Sequence, residues 1–141
     1  MTSSHSGSCL CGGVTFTLSG DLAPVSCCHC TQCRKTTGHY LASTEAPADK
    51  IAFTSDSSLK WYQSSDYAER GFCGDCGSTL FWRATGSPDI SIAVGSLASP
   101  TGLKTARHIF LADKGDYYPT PDDAPCFAAS SVAADALPKT D

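Results

Sequence analysis

Positive charge is in short supply: the 141-residue chain carries 10 Lys and Arg against 14 Asp and Glu, a formal net charge of −4. Such a balance offers no basic patch for a phosphate backbone, so no nucleic-acid partner is expected. Long apolar runs are missing too. None approaches the roughly 20 residues that span a bilayer, so no membrane partner is expected either. The opening MTSSHSGSC has no apolar segment of the secretory kind, and a cytoplasmic location is the expectation. Large aliphatic and aromatic core formers are scarce: Leu, Ile, Val and Phe make up 24 of the 141 residues. That composition signals disorder only when the net charge is high, which it is not here. A folded single domain with so thin a core calls for staples, either disulfides or metal.

The chain has nine cysteines, an odd number, and eight of them fall in three tight groups. In a reducing compartment, clustered cysteines read as metal ligands or catalytic thiols rather than as a disulfide framework. The groups are SCLCGG with Cys9 and Cys11, VSCCHCTQCRKTTGH with Cys27, Cys28, Cys30 and Cys33, and FCGDCGS with Cys73 and Cys76.

The surrounding pattern is that of short strands. GGVTFTLSGD alternates Val14, Phe16 and Leu18 with polar residues, the period of a strand with one buried face. KIAFTS, SLKWYQS, STLFWRA, ISIAVGSL and ARHIFLAD read the same way, each bounded by Gly, Pro, Asp or Ser. TQCRKTTG predicts one short helix ending at Gly38, and no repeat or long amphipathic helix is present. The class is mainly β, built from short antiparallel strands in a single domain over residues 1–127. The small, polar AASSVAADALPKTD, residues 128–141, reads as a loosely attached tail.

A C-x-x-C flanked by glycines turns two thiolates toward one ion, and a structural zinc needs four ligands. Cys73 and Cys76 therefore need a second pair. Cys9 and Cys11 supply it if their segment is extended, because residues i and i+2 of a strand share a face. The same geometry sorts the middle group. With Val25 to Cys30 extended, Cys28 and Cys30 share a face, Cys27 points to the other, and Cys33 joins through the Cys30-x-x-Cys33 turn. Three sulfurs with a fourth position open is the pattern of catalytic zinc, so Cys28, Cys30 and Cys33 are the candidate catalytic ligands. Cys27, Cys30 and Cys33 also have the spacing that begins an iron–sulfur motif. There the fourth cysteine and its proline would fall on Thr37 and Gly38.

Around the middle group, His29 points away from the ion in an extended chain and reads as a structural or solvent residue. His39 could approach the open position as an acid–base group. His108 reads as a sheet residue with a satisfied hydrogen bond. Arg34 and Lys35 could attract substrate carboxylates. Trp61, Tyr62 and Trp82 read as sheet packing. Cys126 stands alone as a plain thiol. A fourth position filled by Cys27, Cys126 or a histidine would instead give two closed staples and a non-enzymatic binding module.

GSCLCGGVTF, CHCTQCRKTTG, FCGDCGSTLF, VGSL and RHIFLADK occur in order from Gly7 to about Phe127. Carrying these motifs, the chain resembles the glutathione-dependent formaldehyde-activating enzyme family, which also contains centromere protein V. The resemblance implies a β-tent fold with two zinc ions. It implies a structural zinc on Cys9, Cys11, Cys73 and Cys76, and a catalytic zinc on Cys28, Cys30 and Cys33. It further implies a carbon–sulfur lyase type of reaction between glutathione and formaldehyde, with a small-molecule thiol and aldehyde as partners.

Overall fold

Strands dominate the computed structural model, which describes residues 3–130. In chain order they are β1 (Ser4–Ser8), β2 (Thr15–Ser19), β3 (Val25–Cys28), the helix α1 (Thr31–Thr37), β4 (Leu41–Pro47), β5 (Ile51–Ser55), β6 (Leu59–Ser65), β7 (Ala68–Cys73), β8 (Thr79–Ala84), β9 (Asp89–Ala93) and β10 (Thr105–Ile109). The mainly β class expected from the alternating pattern is what forms. Residues 131–141, most of the expected tail, lie outside the described residues.

Two compact units are present, one from the chain up to Ala23 with Thr44–Gly102, the other from Pro24–Ser43 and the chain from Leu103 onward. In the first, β1, β2 and β5 form an antiparallel sheet, and β6, β7, β8 and β9 follow one another as antiparallel neighbours. Alternation in β2 is kept: Phe16 and Leu18 are buried while Thr17 and Ser19 are exposed. Phe16 meets Phe81 with ring centroids 5.2 Å apart, and Phe53 lies edge-on to both. Leu80, Ile90 and Ile92 complete this core. Trp61 stacks on Phe81, and the Arg83 guanidinium lies 3.6 Å above the Trp61 ring while pairing with Glu69. The cation keeps its head in water and contributes its flat face to the aromatic edge.

In the second unit β3 pairs antiparallel with Leu41–Ser43 of β4 and parallel with β10. The parallel pair departs from the expected all-antiparallel pattern. β3 and β10 are far apart in the chain, so a long connection replaces a hairpin. ARHIFLAD and ISIAVGSL are each half strand. β10 stops at Ile109, Phe110 turns into the left-handed region at φ 58°, and a single 3-10 turn follows. After β9, Val94–Ser96 likewise form a 3-10 turn. Helix α1 forms where expected. Its N-cap is Cys30, and Gly38 ends it at φ 87°, where a side chain would be strained.

Candidate metal centres

The first cysteine cluster lies in the first unit. Cys73 ends β7, and a turn closed by the Gly77 N–H on the Cys73 carbonyl at 2.8 Å brings Cys76 round to the same side. Gly77 sits at φ 79°, which the turn requires. Cys9 and Cys11 follow β1 in a turn, not in the strand expected for them. The turn still presents both sulfurs, held by the Cys9 N–H on the Val14 carbonyl at 3.0 Å. The four sulfurs all lie within 4.8 Å of one another. Cys9 to Cys11 and Cys11 to Cys73 are both 3.7 Å. An ion held tetrahedrally by sulfurs at about 2.3 Å sets neighbouring sulfurs about 3.8 Å apart, so the spacing fits such a site.

Donors surround these sulfurs. Val14 N–H points at Cys9 Sγ at 3.2 Å and Gly13 N–H at Cys11 Sγ at 3.4 Å. Ser78 accepts from the Leu10 N–H at 3.0 Å and shares a hydrogen bond with Cys76 Sγ at 3.2 Å, so one hydroxyl ties the two turns together. The Ser78 hydroxyl, then the N–H groups of Ser78 and Cys11, pull the Cys76 thiol down to about 5. Sequence reasoning missed Ser78. Its position two residues past a C-x-x-C carried no signal of what it would touch.

The second cluster lies in the second unit. β3 carries the chain extended to Cys28, and Cys30 remains extended at φ −65°, ψ 162°. Cys28 and Cys30 thus share a face, and α1 brings Cys33 round to them. Their three sulfurs lie within 4.8 Å of one another. Cys30 Sγ also accepts the Cys33 N–H at 3.3 Å, capping the helix. Hydrogen bonds from the Cys28 and Cys33 thiols, with the Cys33 and Gln32 N–H groups, pull Cys30 down to about 2 against its burial. Cys28, which gives up its hydrogen bond to Cys30 and Cys33 and is half-buried as well, is pushed up. A metal-free trio can hold one negative charge comfortably but not three, and a divalent cation removes that limit.

The remaining candidates sort clearly. Cys27 is buried on the other face of β3, outside the trio, and its burial pushes the thiol up to about 11. Cys126 is buried with its sulfur 3.3 Å from the Pro121 carbonyl, outside both clusters. His39 is exposed among Tyr40, Tyr117 and Tyr118 rather than among the sulfurs. Lys35 is exposed, whereas Arg34 buries its Nε without a hydrogen-bond partner among the described residues. His29 is not a solvent residue: it is fully buried, with both ring nitrogens hydrogen-bonded. His108 is buried and hydrogen-bonded within the same unit. Trp61 and Trp82 are half-buried sheet residues, and Tyr62 is exposed. A cleft of about 540 Å³, lined by Lys114, Asp116, Tyr117, Tyr118 and Pro119, opens in this unit.

A mainly β chain carrying two preassembled sets of cysteine sulfurs defines a class of protein equipped to hold metal ions. Residues 4–113 match the family described as glutathione-dependent formaldehyde-activating enzyme, and the chain belongs to that family. It is 26% identical over 129 residues to the Schizosaccharomyces pombe protein named Uncharacterized lyase C29B12.13, covering 91% of this chain and 93% of that one. A crystal structure of a Rhodobacter sphaeroides protein is similar with a TM-score of 0.57 at 23% identity, covering 69% of this chain and 91% of that one; the likeness concerns the fold alone. Family membership and the relative's name support a formaldehyde-activating, lyase-type function. Among the described residues no helix is long and apolar enough to cross a membrane.

Proposed function

We propose that this protein is a zinc enzyme that joins a glutathione-like thiol to a small aldehyde such as formaldehyde, on Cys28, Cys30 and Cys33. A second zinc on Cys9, Cys11, Cys73 and Cys76 is structural. The observation that carries the reading is the difference in donor number. Among the described residues, four sulfurs gather in one cluster, while the other gathers three with no further His, Cys, Asp or Glu in the set. Four thiolates on a divalent ion leave a net −2 and no vacancy, and three leave −1 and an open position.

The addition forms a carbon–sulfur bond, breaks the carbonyl π bond, and moves one proton from sulfur to oxygen to give a hydroxymethyl thioether. Zinc in the open site supplies a Lewis acid that favours the thiolate form of an incoming thiol. The chain's own contribution is placement. β3 and α1 hold the three sulfurs on one side, and Cys27 is turned away from them. Arg34 and Lys35, just after Cys33, supply the positive charge that would attract the carboxylates of such a thiol.

The test is an NMR titration with glutathione followed by turnover with formaldehyde. Glutathione is expected to perturb residues 28–39, with affinity rising toward the thiol pKa of about 8.5 as the thiolate fraction grows. Hydroxymethyl thioether should then form faster with the wild type than with Cys30→Ser, which also corrects for the uncatalysed addition. Equal rates, with no perturbation near Cys28, would remove this substrate pair and favour a binding module held by two zincs.

A further inference from the structure

His29 stands between two of the three sulfur-bearing residues, and the alternation that turns Cys28 and Cys30 one way turns its ring the other. There the ring is completely buried. Its Nδ1 lies 2.6 Å from the Tyr118 hydroxyl and its Nε2 lies 2.9 Å from His108 Nδ1. His108, also buried, continues the row with Nε2 2.8 Å from the Asp123 carboxylate. Backbone bonds fix both histidines: His29 N–H to the Ile109 carbonyl at 3.0 Å, and His108 N–H to the Pro125 carbonyl at 2.8 Å. A buried polar row of this length is costly unless every member is satisfied, so its protons can be assigned one by one.

The assignment starts at the acid. A carboxylate only accepts, so His108 Nε2 carries a hydrogen and donates it to Asp123. A neutral His108 then accepts at Nδ1, which requires a hydrogen on His29 Nε2. His29 accepts at Nδ1 in turn, and the Tyr118 O–H donates to it. In this arrangement each bond holds one proton. The row begins at a side chain that is 61% exposed and ends at a tyrosine lining the cleft. Without the Asp123 acceptor, the His108 Nε2–H loses its partner. A tautomer switch at His108 alone would then set two N–H groups face to face between the rings, and relieving that requires His29 to switch as well and donate to Tyr118.

We infer that Asp123 is a positioning residue for the Cys28–Cys30 segment, acting through His108 and His29. Its carboxylate sets the tautomers that grip the His29 ring, and the gripped His29 holds the sulfur on either side of it at ligand spacing. The inference rests on the reading of Cys28, Cys30 and Cys33 as a metal site. It gives that site the outer hydrogen bonds that keep a ligand set ordered when one position is open.

Asp123→Ala and Asp123→Asn in the full chain test it, with circular dichroism establishing that each variant is folded before its tautomers are read. Long-range 15N–1H correlation of the imidazoles, recorded without metal, is expected to show His29 and His108 of the wild type protonated on Nε2. Asp123→Ala should lose that single tautomer at His108, and Asp123→Asn, whose amide oxygen still accepts, should restore it. Cobalt(II) titration against a chelator, with Cys30→Ser marking the contribution of the three-sulfur site, reads the consequence. Asp123→Ala should bind cobalt there about tenfold more weakly, at the low end for loss of an outer contact, with the four-sulfur site unchanged. Asp123→Asn should stay close to wild type. A hydrogen on His108 Nδ1 in the wild type, or wild-type cobalt affinity in Asp123→Ala, would overturn the inference. If instead Cys30→Ser removes no cobalt, the metal reading fails and the inference with it, while the tautomer data still stand on their own.

Discussion

Four sulfurs from two turns meet in one cluster, and in the other three sulfurs come from one strand end and the helix that follows. Cys11 and Cys73 are 62 positions apart, whereas Cys28 to Cys33 span six consecutive residues. That difference in reach separates their energetic roles. Fastening distant segments closes a long loop, which the unfolded chain resists most, so an ion there acts on the fold as a whole. Fastening six neighbours closes almost nothing. A metal on the local trio adds little to global stability, and the use of that site has to be sought in its chemistry.

The sharpest way to break this comparison is to remove one sulfur from each cluster. Cys73→Ser is expected to give unfolded or insoluble protein, since structural zinc contributes on the order of 10 kcal/mol to folding in small zinc peptides. Cys30→Ser should remain folded by circular dichroism, carry one zinc fewer by elemental analysis, and lose turnover. If both variants unfold alike, the division between the clusters is wrong. A smaller effect is expected from Cys27→Ser. The hydroxyl enters a buried position, so a loss of roughly 1–2 kcal/mol in chemical denaturation is expected, with the zinc content unchanged. Loss of a metal equivalent there would mean that Cys27 replaces one of the trio. The smallest expected effects are at the glycines that shape each site. Gly77→Ala and Gly38→Ala each force a side chain into the left-handed region, at about 1–2 kcal/mol. Metal affinity should fall at the four-sulfur cluster in the first and at the three-sulfur cluster in the second, which paired cobalt titrations would resolve.

How much of this was legible depended on whether a residue's environment was local. β2, β5, β6 and β8 were readable because apolar or aromatic residues mark their sequences. β1 was not: its inward residue is Gly7, which leaves no side chain to make a pattern. β7 buries residues on both faces, Arg70 among them, so its sequence AERGFC lacks the two-residue period. In β4 the buried Thr44 is satisfied by a hydrogen bond to the Ala23 carbonyl, a partner 21 residues away. The grouping of Cys28, Cys30 and Cys33 followed from strand alternation because that stretch is extended up to the helix. The same rule gave the wrong conformation for Cys9 and Cys11, where a turn brings the sulfurs together instead. The surroundings of His29 were out of reach. Its partners lie 79 and 89 positions further along, and only the parallel pairing of β3 with β10 brings the nearer one, His108, alongside β3.

Helix α1 has only seven residues, too few to persist on their own in water, where nucleation outweighs so short a gain. Its first turn is secured by the sulfur of Cys30, and its last residues are finished by Gly38. The atom that starts the helix is therefore one of the three sulfurs, so the state of the cluster and the order of the helix are two descriptions of one local equilibrium. Amide exchange along Thr31–Thr37 becomes an internal gauge of the cluster. It needs no chromophore and no substrate, and it reports from the protein side whether the three sulfurs are gathered.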